Sequence, residues 1–470
     1  MGTKSVKKKK KVVVIGAGLG GAASAALLAK AGYDVTLLEG HDYHGGRCAT
    51  MERGGFRFDF GVHMFSRGES GPHGRINREI GGSLEWITKD PPCHVMGKME
   101  FDFPLDIRPL LRQAYLARQL KIGPAGLPGV FRLFRSLMNP RSIEEHDSVT
   151  LKDYISRYTS NDNVHLFLNC LCQLYFAMSY KEASAGEFIW CFERMFNDAS
   201  FGYPRGGGHA IPGSFLDVLR KTGGRALYGQ PAQRIVVKNG AAVGVMTAAR
   251  FYPADIIISN AGINRTIDMA GRKNFPGDYT AKARSYVYSN AYITVKYALD
   301  RPVIPYPVVF YMPDMAGHSV FDYIKEQRVP DDPYIFLPVP SNIDPGLAPG
   351  GKQLVIAGTA APSGASGKLC RAIIDRVDKK VRELFPGLEK ALVWKTTSIA
   401  RDTTRLTGQR TGACIGLGQV PGQVGTHRPS LETPLKNLWL VGADAGSRGI
   451  GTEMASGSAL NLADKIRERY

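Results

Sequence analysis

Apolar and polar positions divide this chain into alternating strand-like and helix-like stretches. The run "KVVVI" at residues 11–15 is β-branched, "GAASAALLAKAG" reads as a small-residue helix, and "DVTLLE" is a second strand, so residues 11–40 predict one βαβ unit. From 105 to 200 the pattern turns helical, with apolar residues three and four apart in "VTLKDYISRYTSNDNVHLFLNCLCQLYFAMSY" and N-cap-type residues in "DSVTLKDYI". A Gly/Pro turn and a helix follow in "FGYPRGGGHAIPGSFLDVLRKTGG", and then come short strands with tight turns such as Lys238-Asn239-Gly240, read as a meander.

Residues 285–400 predict the strands "YVYSNAYITVKYAL", "PVVFYM", "YIFLPVP" and "KQLVIAGTA", the helix "RAIIDRVDKKVRELF" and the strand "ALVWKTTSI". The C-terminus returns to a buried strand, a glycine turn and a helix. The fold class is α/β: a discontinuous Rossmann-like nucleotide domain over 1–85, 206–284 and 401–470, and a substrate domain of mixed sheet and helices over 86–205 and 285–400.

Composition narrows the class. No apolar run reaches the ~18–20 residues a membrane span needs. The N-terminus lacks the apolar stretch and cleavage site of a signal peptide, which predicts a cytoplasmic protein. Seven irregularly spaced cysteines without a CxxC pair predict free, mostly buried thiols and no metal. Six of the 60 basic residues lie in the first 11, and the other 54 still exceed the 42 acidic ones. No nucleic-acid motif accompanies this excess, so an anionic membrane surface is the expected partner and nucleic acid is not. The most basic internal segment, 105–141, sets Arg and Lys among Leu, Phe, Tyr and Val, as an interfacial amphipathic segment does. A pair of surface helices with solvated arginines fits that composition equally well.

The first turn carries Gly16, Gly18 and Gly21 in G-x-G-x-x-G spacing. Gly16 permits the turn, Gly18 lets a pyrophosphate approach the backbone, and Gly21 lets helix and strand pack closely. Glu39 ends the second strand, where a carboxylate accepts hydrogen bonds from a ribose. Gly45, Gly46 and Arg47 stand just downstream, where a second pyrophosphate contact can form; nicotinamide enzymes usually do without it.

With Ala25 and Gly32, these residues resemble the FAD fingerprint of the amine oxidase and phytoene desaturase superfamily. The resemblance continues through "FRFDFGVHMF" (56–65), "YPRGGGHAIPGSFLDVL" (203–219), "LWLVGADAG" (438–446) and "GIGTEMASGSAL" (449–460), and is strongest to the phytoene desaturase and carotenoid isomerase branch. It implies FAD as cofactor, hence an FAD-binding domain. Arg47 and its neighbouring glycines would hold the pyrophosphate, and Gly61, Val62, His63 and Met64 would run beneath the flavin, downstream of Asp59. Ala232 would meet the adenine, where the family usually has valine. Gly442 and Asp444 would reach the ribityl chain, with Asp444 displaced by one residue from the family pattern, and Gly451 and Thr452 would open the terminal helix beside the flavin. Its dipole would favour hydride acceptance.

Catalytic candidates are His63 and Glu453, each with a structural alternative: packing or hydrogen bonding for His63, helix capping for Glu453. Tyr175, Phe176, Phe201 and Tyr203 are expected to line the substrate cavity. No second G-x-G-x-x-G follows a strand, so the electron acceptor is oxygen, a quinone or an external carrier, unless the flavin cycles without net turnover. The resemblance implies an FAD-dependent oxidoreductase, peripheral on the membrane, acting on C–C bonds of a carotenoid- or isoprenoid-like substrate by hydride transfer with flavin N5. Desaturase, saturase and isomerase remain open. The alternatives are a flavin amine oxidase and a prenyl- or lipid-binding protein without redox activity.

Overall fold

The computed structural model describes residues 9–61, 63–87, 93–103, 109–197, 202–409, 411–446 and 448–470. Val62, Phe201 and the first eight residues of the lysine-rich terminus lie outside them.

β1 (Lys11–Ile15), α1 (Leu19–Lys30) and β2 (Asp34–Leu38) form the predicted unit. β1 pairs in parallel with β2 on one side and with Ile256–Ser259 on the other. Leu438–Leu440 and Arg225–Leu227 complete a five-stranded parallel sheet at its two edges. Its strands read as apolar runs because helices cover them. α1 is buried from Leu19 to Ala29, packed between the helices Ala210–Lys221 and Gly451–Arg469. Its alanines and glycines let three backbones approach where larger side chains would hold them apart. The meander is a three-stranded antiparallel sheet of Arg234–Lys238, Ala241–Met246 and Phe251–Pro253.

A seven-stranded sheet has the order Leu392–Ser398, Ala291–Leu299, Gln353–Ala361, Ile335–Pro338, Val308–Met312, Cys93–Gly97, Phe101–Phe103. Only the pair Val308–Met312 and Cys93–Gly97 runs parallel. Ala291–Leu299 is the next strand in and almost wholly buried, whereas Leu392–Ser398 alternates half-buried and exposed residues, as an edge strand does. The helix predicted from Arg371 begins four residues earlier, at Gly367, because the Ser366 hydroxyl accepts the Leu369 N–H at 3.1 Å. Thr150 caps Leu151–Ser156 and Asn161 caps Asp162–Phe176 in the same way.

Two hydrophobic cores result. One surrounds α1 and the parallel sheet; the other fills the space between the seven-stranded sheet and the helices of 151–197. All seven cysteines are free, six of them buried. In the basic segment, Leu127–Met138 buries Val130, Leu133, Phe134 and Leu137 and exposes Phe131, Arg132 and Arg135. Leu111, on Pro109–Gln119, is 61% exposed. Among the described residues no helix is long and apolar enough to cross a membrane.

Candidate cofactor and substrate site

One cavity of about 540 Å³ runs from the carboxyl ends of the parallel strands to the face of the seven-stranded sheet. That is the size of a small-molecule site, and strand carboxyl ends are where open α/β sheets bind ligands.

Its nucleotide end is built by close backbone contacts. Gly16 has φ +94°, a left-handed turn that the Gly16 N–H anchors to the Leu38 carbonyl at 2.8 Å. At Gly21 a Cβ would lie 2.0 Å from the Gly16 oxygen, so α1 sits against the turn as only glycine permits. The Glu39 carboxylate accepts from Ala17 N–H at 2.6 Å and His41 N–H at 2.9 Å, which fixes it at the cavity wall with little exposure. Gly45 donates to the Ala17 carbonyl at 3.0 Å and lays the 45–47 loop beside Gly18. Arg47 reaches across to donate to the Cys414 carbonyl at 3.3 Å.

Gly16, Gly18, Glu39, Gly45, Gly46, Arg47, Gly61, His63, Met64, Ala232, Gly451 and Thr452 all reach the wall, as does Tyr175. Gly21 and Gly442 lie behind it as packing positions, a Cβ on Gly442 falling 2.4 Å from Asn260 Oδ1. Asp444 departs from the expectation: it is buried off the wall, accepting from Ile263 N–H and Leu417 N–H at 3.2 Å each. The positive φ of Gly442 turns the chain so that Ala443 faces the cavity and Asp444 caps the helix Ile263–Ala270. Glu453 is also off the wall, just behind it, accepting from the wall residue Ser66 Oγ at 2.7 Å. Phe176 is a core residue, because its neighbour Tyr175 takes the cavity-facing direction about 100° away on the same helix. Tyr203 is off the wall too, its hydroxyl committed to Asp59 at 2.5 Å.

Asn260, Arg265, Arg405 and Gln409 are wall residues that sequence reading missed. Asn260 carried a signal, since it directly follows the strand Ile256–Ser259. The others reach the wall only through tertiary packing.

The far end is apolar. Its floor is the seven-stranded sheet, presenting Cys93, Tyr292, Phe310 and Phe336, and its roof is the helix Asp162–Phe176, presenting Leu171, Leu174 and Tyr175. His63 is 5% exposed and neither ring nitrogen has a protein partner. Burial first, and then Lys296, lower its pKa to about 3, so at neutral pH the ring is a neutral hydrogen-bonding group and a poor base. These features fit FAD: a glycine cradle and helix N-terminus for phosphates, a fixed carboxylate for a ribose, and an unpartnered polar ring at the wall.

Lys296 lies behind the wall, donating to Thr294 Oγ1 at 2.7 Å and Ser398 Oγ at 2.9 Å. Burial lowers its pKa to about 7, against an opposing pull from Asp59. The unfolded chain, with a lysine pKa near ~10.4, holds the proton between pH 7 and ~10.4 when the folded state does not. Stability therefore rises with pH through that window by about 1.4 kcal/mol per unit, and at lower pH the fold carries a buried cation. Lys296→Met is expected to melt above the native protein at pH 6, with the gap narrowing towards pH 10. Parallel melting curves at every pH would contradict this.

Residues 14–79 match the NAD(P)-binding Rossmann-like domain model. The chain is 26% identical over 467 residues to the zeta-carotene-forming phytoene desaturase of Myxococcus xanthus, covering 91% of this chain and 88% of that protein. It is 25% identical to the 4,4'-diapolycopen-4-al dehydrogenase of Metabacillus indicus, covering 91% of each. In fold it is similar to an oxidoreductase from Methanosarcina mazei (TM-score 0.78, 22% identity, covering 97% of this chain and 100% of that one). A putrescine oxidase bound to putrescine shares the fold at a TM-score of 0.69 and 15% identity, covering 98% of this chain and 100% of that one.

Proposed function

We propose that this chain, an FAD-dependent oxidoreductase related to the carotenoid desaturases, acts on carbon–carbon bonds of a long apolar isoprenoid-like substrate. The carrying observation is the wall of the far end, made of aliphatic and aromatic side chains. Bound FAD supplies hydride transfer chemistry. Gly16, Gly18, Gly45, Gly46 and Arg47 bind its pyrophosphate and Glu39 its ribose, while the terminal helix presents its positive end through Gly451 and Thr452. The sheet and roof helix orient the chain-like substrate and exclude water, which an apolar hydride transfer needs more than an acid or base.

An amine substrate would need a carboxylate or a dedicated cage for its cation. The only acidic residue on the described wall is Glu39, which stands at the nucleotide end. A lipid carrier without redox activity would have no use for the Gly16–Gly21 turn and Glu39 together. The purified protein is expected to be yellow with bound FAD and to carry an apolar lipid identifiable by mass spectrometry. A colourless protein that binds no added FAD would reject this reading.

The FAD-binding part comprises 1–85, 206–284 and 401–470 and the substrate part 86–205 and 285–400. This division is supported by the strands, since all five of the parallel sheet fall in the first set and all seven of the other sheet in the second. The exposed apolar and basic residues of this segment, Leu111, Phe131, Arg132 and Arg135, rest on an anionic membrane, from which such a substrate is drawn. Each basic residue near such a surface contributes ~1 kcal/mol. The double variant Arg132→Glu, Arg135→Glu is therefore expected to bind phosphatidylserine vesicles at least about tenfold more weakly at low salt. Equal binding by the native and double-variant proteins would remove the membrane from the account.

A further inference from the structure

Two charged residues of the cavity wall have no part in the reading so far. Arg265 and Arg405 both line the cavity and both are exposed, and among the described residues neither guanidinium has an ion-pair or hydrogen-bond partner. A solvated arginine is ordinary on a protein surface, but these two share a wall with the glycine turn.

Two helices bring them there. The helix Ile263–Ala270 begins shortly after Asn260, whose Nδ2 lies 2.8 Å from where Gly18 would carry a Cβ. Arg265 and Met269, one turn apart on one face of that helix, are both wall residues, and so is Ala261 just before it. The helix Ala400–Thr407 is tied to the nucleotide end by its Leu406 carbonyl, which bonds to the His41 ring at 3.0 Å. Arg405 and Glu39 both act electrostatically on Tyr43, a wall residue between them and the solvent-facing side. The two helices also converge, because Gln409 Nε2, just past the second, lies 3.1 Å from where Gly262 at the start of the first would carry a Cβ.

The charge count of the wall points to an anion. The described wall carries three arginines, Arg47, Arg265 and Arg405, against one carboxylate, Glu39, with no lysine and no aspartate. Three minus one leaves a formal +2 with the histidines neutral. The diphosphate of FAD carries one negative charge on each phosphate, so the two balance. Arg47 alone does not reach that balance, and one of its guanidinium nitrogens is already spent on the Cys414 carbonyl.

We infer that Arg265 and Arg405 are ligands of the FAD diphosphate, which they draw in and hold together with Arg47. This rests on the FAD reading and adds to it two residues from distant parts of the chain. Guanidinium–phosphate bonds are charge-assisted, and an unmatched positive site attracts its anion before contact is made. Because both arginines are exposed, their contribution is screened by salt, which a purely structural role would not be.

The test dilutes the holoenzyme serially and reads the released FAD by its fluorescence, at roughly 0.01 M and roughly 1 M salt, between which the Debye length falls from ~30 Å to ~3 Å. The double variant Arg265→Glu, Arg405→Glu is expected to hold FAD at least about thirtyfold more weakly than the native enzyme at low salt and within about fivefold of it at high salt. Arg265→Gln, Arg405→Gln, which removes the charge without reversing it, is expected to lose about fivefold at low salt. Lys30→Glu, Lys465→Glu makes the same change of net charge as the first variant, at exposed positions near the far ends of the two helices whose N-termini face the cavity. It is expected to stay within about threefold of the native affinity. Native affinity in both arginine variants at low salt, a loss of equal size at both salts, or a loss matched by the lysine variant would overturn the inference and leave the FAD reading standing. A native protein that holds no FAD at either salt would overturn both.

Discussion

Gly21→Ala is expected to yield a protein that is purified largely without FAD and unfolds well below the native enzyme. Its Cβ would lie 2.0 Å from the Gly16 oxygen and 3.2 Å from the carbonyl carbon, and both atoms are main chain. The oxygen has little room to yield, because the same residue's N–H is tied to Leu38 across the sheet. Helix α1 must lift instead, and it is buried along nearly its whole length. Overpacking of this kind costs ~3 kcal/mol, towards the upper end of its usual range, since no side chain can rotate away. The lifted helix would also take its N-terminal N–H groups away from the pyrophosphate that we propose they bind, and losing ~3 kcal/mol there corresponds to a roughly hundredfold weaker cofactor affinity. Gly32→Ala is the control: φ is +93° but no atom lies within 4 Å of its Cβ, so it is expected to lose about 1 kcal/mol of stability and keep its FAD. Flavin-to-protein absorbance ratios and melting curves read both variants. Full FAD occupancy in Gly21→Ala would show that the turn does not carry the cofactor.

Arg448→Met should be comparably damaging, for an electrostatic reason. The guanidinium donates to Asp147 at 3.0 and 2.5 Å and to Glu187 at 2.8 Å, and Glu187 also accepts the Gly449 N–H at 2.9 Å. Burial works to lower the Arg448 pKa, but the bonds to Asp147 and Glu187 outweigh it and the charge is held. Both acids are buried, so removing the cation strands Asp147 and leaves Glu187 only the nearby Arg428, at a cost of about 3–5 kcal/mol. The network also ties the helix Ala185–Asn197 to the turn before Gly451, and that turn sets where the terminal helix meets the cavity. Combining Arg448→Met with Asp147→Asn removes the stranded charge and should recover most of the lost stability, while Glu187 keeps its charge beside Arg428. A single variant that melts like the native protein would show that the network is not what joins these parts.

Much of this architecture was legible from local pattern. β1, α1 and β2 follow from a β-branched run, three glycines at fixed spacing and an acid, all within 30 residues, and the strands of 285–400 are apolar runs bounded by turns. Distant pairing was not legible. β1 lies between β2 and Ile256–Ser259, more than 200 residues away, so Asn260 arrives at the glycine turn through sheet order alone. Side-chain direction was the other blind spot. Tyr175 and Phe176 are adjacent aromatics that only the helix's orientation separates, and Tyr203 is a plausible wall residue until Asp59 claims its hydroxyl. Asp444 has the expected residue type at nearly the expected place, yet one residue of displacement beyond the Gly442 turn makes it a cap.

The central claim, flavin chemistry on an apolar chain, is tested most directly by mixing the oxidised holoenzyme without oxygen with acyclic carotenes and apocarotenals of graded unsaturation, and separately with polyamines. Bleaching of the flavin's visible absorption by at least one polyene, with a change in that polyene's double-bond count or geometry and no response to amines, is the predicted result. Bleaching by amines, with every polyene left unchanged and unbound, would contradict the account.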